Sequence, residues 1–265
     1  MSDDVLSLEE KRMYGRTRPE THAYVASGLG ITRVETAGGQ IGRFSLEERC
    51  TARDIAGANG EIAVATDDAV LISTDDGFAA AGFGPATAVG YDGDGLLAAS
   101  GGRVARYAAD EWQTLDAVAD VRAIGGGLLG AADGVYGLPD CEYLGLYDAA
   151  DVTDGYAATA DGLYGYDGNW RQFRSGPHGA VARDGERIHA ADRDALLELD
   201  DDGWRACDLP VRERVVDVVH GADTYAVTAA GTFLVDTPDE ATADGRGGWR
   251  GRSLGLPGVV GIAVA

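Results

Sequence analysis

The stretch EIAVAT at residues 61–66 decides the fold, because the chain repeats its pattern of a short apolar strand that ends in small residues. Seven copies can be read along the sequence: AYVAS (23–27), EIAVAT (61–66), LLAAS (96–100), LLGAAD (128–133), YAATAD (156–161), RIHAAD (187–192) and TYAVTAA (224–230). Equivalent positions lie about 28–38 residues apart, which is enough chain for one small four-stranded sheet. The repeat therefore predicts seven similar units.

Each copy has similar neighbours in the sequence. A tight turn and another strand follow it, as in AVLIST at 69–74, and an apolar stretch such as RDIAG at 53–57 precedes it. An aromatic residue opens the last strand in six units: Phe78, Trp112, Tyr143, Trp170, Trp204 and Trp249. Because this position recurs, we expect its side chains to pack between units. Without a helical period beyond the N-terminus, the pattern predicts an all-β protein, a seven-bladed β-propeller over residues 22–265.

The two ends of the repeat region complement each other. Residues 258–265, GVVGIAVA, have the pattern of an innermost strand, but no further unit follows them. The first unit, which begins near His22, lacks that strand. We expect the C-terminal strand to complete the first sheet and close the ring, which leaves no free edge at the seam.

The chain resembles the β-propeller superfamily over residues 22–265 and, more narrowly, a haloarchaeal propeller family. Ser73-Thr-Asp-Asp-Gly-Phe78 is similar to the Asp-box turn of sialidase-type propellers, with Ser, Asp and Gly in place. An Asp box is a structural turn, and the similarity to Asp-box and WD40 propellers is distant. The resemblance therefore implies a fold and does not identify a site.

The charge balance argues against a nucleic-acid-binding domain. The chain has 44 acidic and 22 basic side chains and a formal net charge of −22, whereas nucleic-acid-binding domains carry excess basic charge.

The sequence also lacks the features of membrane and secreted proteins. No apolar run reaches the roughly 18–20 residues of a membrane span. The opening MSDDVLSLEEKR lacks a signal-peptide pattern, and three distant cysteines make no disulfide framework. We expect a cytoplasmic protein that contacts neither DNA nor membrane.

The kinds of charged residue are also informative. Of the acids 31 are Asp, and of the bases 21 are Arg and one, Lys11, is Lys. Asp presents a short hydrated carboxylate, whereas the stem of Lys would add apolar surface. Such a surface suits molar salt, where the Debye length is about 3 Å, and it resembles that of haloarchaeal cytosolic proteins. We interpret the acidity as an adaptation to solvent.

The sequence lacks the common catalytic and ligand motifs. It contains no G-x-S-x-G elbow, P-loop, H-E-x-x-H, C-x-x-C or EF-hand loop. No pair among His22, His178, His189 and His220 has the spacing of metal ligands, so packing or surface roles are expected for them. We therefore expect no catalytic residue, no metal and no cofactor.

Propellers usually bind ligands at the mouth of the central channel, on the face formed by the connections between blades and the turns after the small-residue strands. The candidates for this channel face are Asp68, Arg103, Asp133, Asp161, His178, Arg193 and Arg212. A mixed ring of carboxylates and guanidinium groups can clamp a polar ligand or a protein loop. The same residues can also form salt bridges with one another, and both alternatives stay open at this stage.

Residues 1–21 form a separate N-terminal arm. Ser7-Leu-Glu-Glu10 has the form of a capping box and Gly15 stands where a helix would end, which predicts a short helix. The stretch KRMYGRTR at residues 11–18 carries no acid and four bases: Lys11, Arg12, Arg16 and Arg18. These bases either hold the arm against the acidic propeller or contact an anionic partner such as RNA or an acidic protein.

These observations favour a non-catalytic binding or scaffold module, with a protein as the expected partner and RNA as an alternative ligand of the arm. One alternative is a hydrolase or lyase for a sugar or small polar substrate, with acids such as Asp68, Asp133 or Asp161 at the channel mouth. Another is a structural subunit of a larger assembly. An enzyme predicts a deep pocket with converging carboxylates of raised pKa, and a scaffold predicts an exposed apolar patch on one face.

Overall fold

A computed structural model of the chain describes residues 20–237 and 248–264. These residues form seven four-stranded antiparallel sheets, so the all-β, seven-bladed propeller is confirmed. No helix that could cross a membrane is found among them. The helix predicted in the N-terminal arm falls on residues 1–19, outside the described part of the chain.

The 28 strands of the described residues follow one another with short turns. In chain order they are β1 (Thr21–Ser27), β2 (Gly30–Ala37), β3 (Gln40–Glu48), β4 (Ala52–Ala58), β5 (Glu61–Thr66), β6 (Val70–Thr74), β7 (Gly77–Ala80), β8 (Ala88–Asp92), β9 (Gly95–Ser100), β10 (Arg103–Ala108), β11 (Glu111–Asp116), β12 (Val121–Gly125), β13 (Leu128–Ala131), β14 (Gly134–Gly137), β15 (Glu142–Gly145), β16 (Ala149–Thr153), β17 (Tyr156–Thr159), β18 (Gly162–Tyr166), β19 (Trp170–Ser175), β20 (His178–Asp184), β21 (Arg187–Asp192), β22 (Leu196–Asp200), β23 (Gly203–Ala206), β24 (Val215–His220), β25 (Thr224–Thr228), β26 (Thr232–Asp236), β27 (Arg250–Ser253) and β28 (Val259–Val264).

Successive groups of four strands form the blades. Blade 1 has the order β28-β1-β2-β3, and blades 2 to 7 are β4–β7, β8–β11, β12–β15, β16–β19, β20–β23 and β24–β27. The first strand of each blade is innermost. We call the end of the ring with the turns between first and second strands the lower face. The upper face carries the turns between second and third strands and the connections between blades.

The C-terminal strand closes the ring as the sequence predicted. β28 is the innermost strand of blade 1 and pairs with β1, with Ile262 opposite Val25. Ile262 and Val25 are both buried, and they join a cluster that includes Tyr225 and Phe233 of blade 7. The seam therefore combines strand pairing with apolar packing against the preceding blade.

The core lies between neighbouring blades. The aromatic position predicted to pack there does so in five blades: Phe78, Trp112, Trp170, Trp204 and Trp249 each join a cluster with residues of the preceding blade. Trp112 Nε1 also donates to Ala81 O at 2.7 Å, and Trp170 Nε1 donates to Leu144 O at 2.9 Å. Tyr143 departs from the pattern, because 48% of it is exposed.

Small residues let the innermost strands approach closely. A Cβ atom on Gly90 of β8 would lie 2.1 Å from the Ile124 carbonyl oxygen of the next blade. On Gly57 of β4 it would lie 2.2 Å from the Val264 carbonyl oxygen of the blade before. Both distances are far shorter than ordinary van der Waals contact, so a side chain at either position would force the blades apart.

The closure of blade 1 gives a first prediction. Ile262→Ala should lower the free energy of unfolding by about 2–4 kcal/mol, because it removes a buried side chain at the seam and leaves a cavity. Leu46→Ala on the outer strand β3, where Leu46 is 40% exposed, should cost less than about 1 kcal/mol. Denaturant unfolding of both variants measures the difference. Equal stabilities would show that the first blade does not depend on β28.

Candidate functional site

Three aspartates occupy the same position on the innermost strands of three blades. Asp54 on β4, Asp151 on β16 and Asp217 on β24 each lie opposite the residue before the last one of the second strand. The other four blades have a small residue at this position: Ala88, Ala123, Ala180 and Gly261. The aspartates therefore form one tier around the central channel.

Each aspartate bridges two blades through its carboxylate. Asp151 Oδ1 accepts the N–H of Val152 at 2.8 Å, and Oδ2 accepts the N–H of Val181, on the next blade, at 2.8 Å. The equivalent bonds, at 2.7–2.9 Å, run from Ile55 and Val89 to Asp54, and from Val218 and Ile262 to Asp217. These contacts tie blade 2 to blade 3, blade 5 to blade 6, and blade 7 to blade 1.

Burial raises the pKa of all three carboxyls. The pKa of Asp54 lies well above its usual range, because burial outweighs the two N–H bonds that favour its charged form. Burial, together with the negative charge of Asp217, raises the pKa of Asp151 to about 7. Burial raises the pKa of Asp217 to about 6. The three acids thus share a poorly solvated, negatively charged centre.

A cavity of about 330 Å³ extends from the aspartate tier to the lower ends of the innermost strands. Branched aliphatic side chains and backbone form much of its wall, and polar groups such as Thr153, Arg183, Asp184 and His220 line its lower part. Burial lowers the pKa of His220 to about 4, so its imidazole is neutral at pH 7. The cavity is a pocket on the axis of the propeller that opens toward the lower face.

The hydrogen bonds determine what the aspartates can do. All six carboxylate oxygens accept a backbone N–H, as the distances above show, so each carboxylate is engaged in binding backbone donors. The inner edges of first strands have backbone N–H groups without a fifth strand to pair with, and a buried N–H needs an acceptor. The aspartates supply that acceptor, and their geometry is that of ties between blades.

These three residues are not among the candidate site residues predicted from the sequence. A signal was present, because each precedes a branched aliphatic residue in a first strand: Asp54-Ile, Asp151-Val and Asp217-Val. Aspartate is so frequent in this chain that the sequence does not distinguish these three from the others. The strand register is needed to place them at one level of the ring.

The predicted channel-face residues lie at the upper end of the molecule, and none of them lines the cavity. Asp68, Asp133, Asp161 and Arg193 occupy turns between second and third strands, Arg103 and His178 begin strands, and Arg212 lies in the connection before β24. They belong to several different blades. Their role at an upper binding face stays a prediction.

Several of these residues have local partners. Asp133 accepts the Tyr136 hydroxyl at 2.9 Å, and Asp161 accepts the Thr159 hydroxyl at 2.7 Å. Arg103 Nε donates to Thr114 Oγ1 at 3.1 Å, and its guanidinium lies 4.8 Å from the centre of the Phe83 ring. His178 is buried, with Nδ1 2.8 Å from Gly176 O. These contacts stabilise turns and strand ends.

An exposed aromatic cluster lies on the upper, outer part of blade 4. We call Tyr136, Tyr143 and Tyr147 the tyrosine patch. The rings of Tyr136 and Tyr143 meet edge to face at 5.4 Å, and the Tyr143 hydroxyl donates to Leu146 O at 3.2 Å. Tyr147 is 72% exposed, the highest value for a large apolar or aromatic side chain among the described residues.

The backbone around Tyr147 is unusual. Gly145, Leu146 and Asp148 have φ angles of 106°, 60° and 54°, so three of the four residues from 145 to 148 lie in the left-handed region. A non-glycine residue there costs of order 1–3 kcal/mol and is kept only where the surroundings impose it. Asp148 supplies the restraint, because its N–H bonds to Ala132 O at 2.9 Å and its carboxylate pairs with Arg122. The connection therefore holds Tyr147 in solvent.

The fold and its repeated four-stranded units define the chain as a β-propeller protein. The family described as Beta-prop_HVO_0234-like, beta propeller, matches residues 7–265, and the chain belongs to that family. The family resemblance seen in the sequence is thereby confirmed. No curated protein matches the chain.

Solved structures with the same fold are distant in sequence. The computationally designed protein Ika8 is 13% identical, with a TM-score of 0.58, and the match covers 91% of this chain and 86% of Ika8. The extracellular domain of BT4673 from B. thetaiotaomicron, described as a one-component system, is 10% identical with a TM-score of 0.60. That match covers 88% of this chain and 46% of the other. At such identities the similarity shows the fold alone.

The aspartate ties give a second prediction. Asp151→Asn keeps the size of the side chain but turns an NH₂ group toward one of the two N–H donors, which leaves that donor unpaired. At pH 7 the free energy of unfolding should fall by about 1–3 kcal/mol. Asp76→Asn, in an exposed turn, should change it by less than about 0.5 kcal/mol. If Asp151→Asn is as stable as the wild type, the carboxylate is not a tie.

The raised pKa of Asp151 gives a third prediction, on pH dependence. Its folded-state pKa of about 7 lies above the ordinary 3.8, so between these values the folded protein holds a proton that the unfolded chain has lost. The stability from this group is therefore greatest near pH 4 and falls as the pH rises to about 7. Denaturant unfolding at constant molar salt should show a smaller decline over this range for Asp151→Asn than for the wild type. Parallel pH profiles would contradict the assignment.

Proposed function

We propose that the chain is a non-catalytic binding propeller that engages a protein partner through its upper face, with the tyrosine patch at the centre of contact. The observation that carries this proposal is Tyr147, which is 72% exposed and lies in a connection whose strained backbone is fixed from both sides. Tyrosines are enriched among the residues that contribute most of the binding energy at protein interfaces, because each offers a large, rigid surface with a polar hydroxyl at its end.

The break in the repeat supports the same site. At the aromatic position of blade 4 the chain has Tyr143, which is half exposed and contacts Tyr136 of its own blade. In five other blades this aromatic is half-buried and packs against the preceding blade, as described above. A side chain released from a packing role in one blade can serve recognition there.

The channel aspartates do not favour the enzyme alternative. Their carboxyls lie around one cavity and have the raised pKa values expected of an enzyme pocket. Both oxygens of each carboxylate, however, accept backbone N–H groups. The acids first considered for catalysis, Asp68, Asp133 and Asp161, lie in upper-face turns away from that cavity. The proposal of a binding function rests on the tyrosine patch.

A comparison of two variants tests the proposed site and is the fourth prediction. The tagged chain, produced in a halophilic host at native salt, should co-purify with a stoichiometric protein partner, and Tyr147→Ala should weaken that complex by about 30-fold or more. Leu29→Ala is the matched control, because Leu29 is 47% exposed in an upper-face turn of blade 1. Equal recovery of the partner with both variants would contradict the site.

The four bases of the N-terminal arm are a second contact in this proposal. They lie in residues 11–18, outside the described part of the chain. A chain with Lys11, Arg12, Arg16 and Arg18 all changed to Gln should lose partner recovery at native salt, because the arm would then carry no base at these four positions to attract an anionic surface. Nuclease treatment of the complex distinguishes an RNA ligand from a protein. Unchanged recovery would exclude the arm from the interface.

A further inference from the structure

One face of blade 6 carries a histidine, a glutamate and a cysteine side by side. His189 on β21 pairs in register with Glu198 on β22, and Cys207 directly follows β23 and donates its N–H to Leu196 O at 2.8 Å. Their ligand atoms all lie within 4.8 Å of one another. In residues 20–237 and 248–264 no other three potential metal ligands lie so close. The general acidity of the chain therefore does not account for the group.

His189 has a nitrogen that lacks a partner. The residue is 3% exposed, and its Nδ1 is buried without a hydrogen bond. Buried polar atoms in folded proteins are nearly always paired, so this nitrogen, one of nine such side-chain atoms among the described residues, can accept a ligand. Burial also lowers the pKa of His189 to about 3, which keeps the imidazole neutral, the form that binds metals.

We propose that His189, Glu198 and Cys207 bind a Zn²⁺ ion between blades 6 and 7. The set contains one nitrogen, one sulfur and one oxygen donor, which zinc accepts, whereas Ca²⁺ and Mg²⁺ require oxygen ligands. Ligand atoms of a tetrahedral zinc site lie about 3.5 Å apart, so side-chain shifts of about 1 Å would close the group around an ion. This site is independent of the proposed partner surface.

Two neighbouring side chains support the proposed ligands. Arg205 donates to Glu198 Oε2 at 2.6 Å and to Asp200 at 2.7 Å, which orients the glutamate and leaves Oε1 for the ion. Trp249, from the facing blade, donates a hydrogen bond to the Cys207 sulfur. Such outer contacts fix the direction of metal ligands.

The facing blade brings a second histidine close to the site. The ring of His220 on β24 lies 5.0 Å from that of His189, and its Nε2 is buried without a partner. His220 also lines the channel cavity. Three protein ligands leave the fourth position to a water molecule, as in open zinc sites.

Zinc binding must displace a proton. Cys207 is a free cysteine, and burial raises its pKa to about 12, so its sulfur is protonated at pH 7. Formation of the Zn–S bond breaks the S–H bond and releases one proton to solvent.

Zinc titration of the intact chain tests the site. The purified chain, freed of metal with a chelator, is titrated with Zn²⁺ against a chromophoric chelator at molar salt. One equivalent should bind, and Cys207→Ala should weaken binding by at least about 100-fold. Cys50→Ala is the matched control, since Cys50 is also a half-buried free cysteine and lies in blade 2's packing cluster. It should leave the affinity unchanged.

Two further measurements keep the test decisive. Co²⁺ in place of Zn²⁺ should give a thiolate charge-transfer band that is absent in Cys207→Ala. If that variant fails to fold, Glu198→Gln, which removes one ligand with little change of shape, should still weaken zinc binding at least about 10-fold. No stoichiometric binding by the wild type, or equal affinity in wild type and both ligand variants, would overturn the proposal.

Discussion

The structure depends on apolar packing between blades, because no single blade can bury its own faces. A four-stranded sheet of about 25 residues has two broad surfaces, and each must be covered by a neighbour. The second strands are rich in alanine, and residues such as Ala63, Ala65, Ala98 and Ala190 are fully buried. These small side chains let adjacent sheets approach, while the aromatic side chains fill the wider outer space. Closure of the ring then supplies the last blade with a neighbour, which is why β28 has to return to β1.

Closure creates a problem at the axis that the aspartates solve. The innermost strands have no further strand to pair with, so some of their N–H groups face the channel without a backbone acceptor. Asp54, Asp151 and Asp217 accept these groups from the next blade. The small residue at the equivalent position of the next blade leaves room for the carboxylate. A Cβ atom on Gly261, for example, would lie 3.1 Å from Asp217 Oδ2. This arrangement is unfavourable for the charged carboxylates, because three acids share one poorly solvated space. Their raised pKa values reflect that penalty.

Acidic residues thus have two different physical roles in this chain. Most acids in the described part of the chain are exposed, where water and salt screen their repulsion. The three channel aspartates line the central cavity, and backbone N–H groups are their hydrogen-bond partners. The amino-acid composition does not distinguish the exposed acids from the three channel aspartates. The candidate sites lie where the chain departs from its own repeat: the exposed Tyr143 and Tyr147 of blade 4, and the polar cluster around His189, where other blades have apolar contacts.

The sequence by itself determined the repeat, the number of blades, the all-β class and the seam between residues 258–265 and the first unit. It could do so because strand patterns, turns and a recurring aromatic position are local properties that depend on neighbours in the chain. It also identified the aromatic packing position, although Tyr143 does not follow it. Only the tertiary structure brought Asp54, Asp151 and Asp217 to one level, and His189, Glu198 and Cys207 within reach of one another. Residues nine or nearly a hundred positions apart meet through strand register and the arrangement of blades around the axis, which depend on contacts between distant segments and not on neighbours in the sequence.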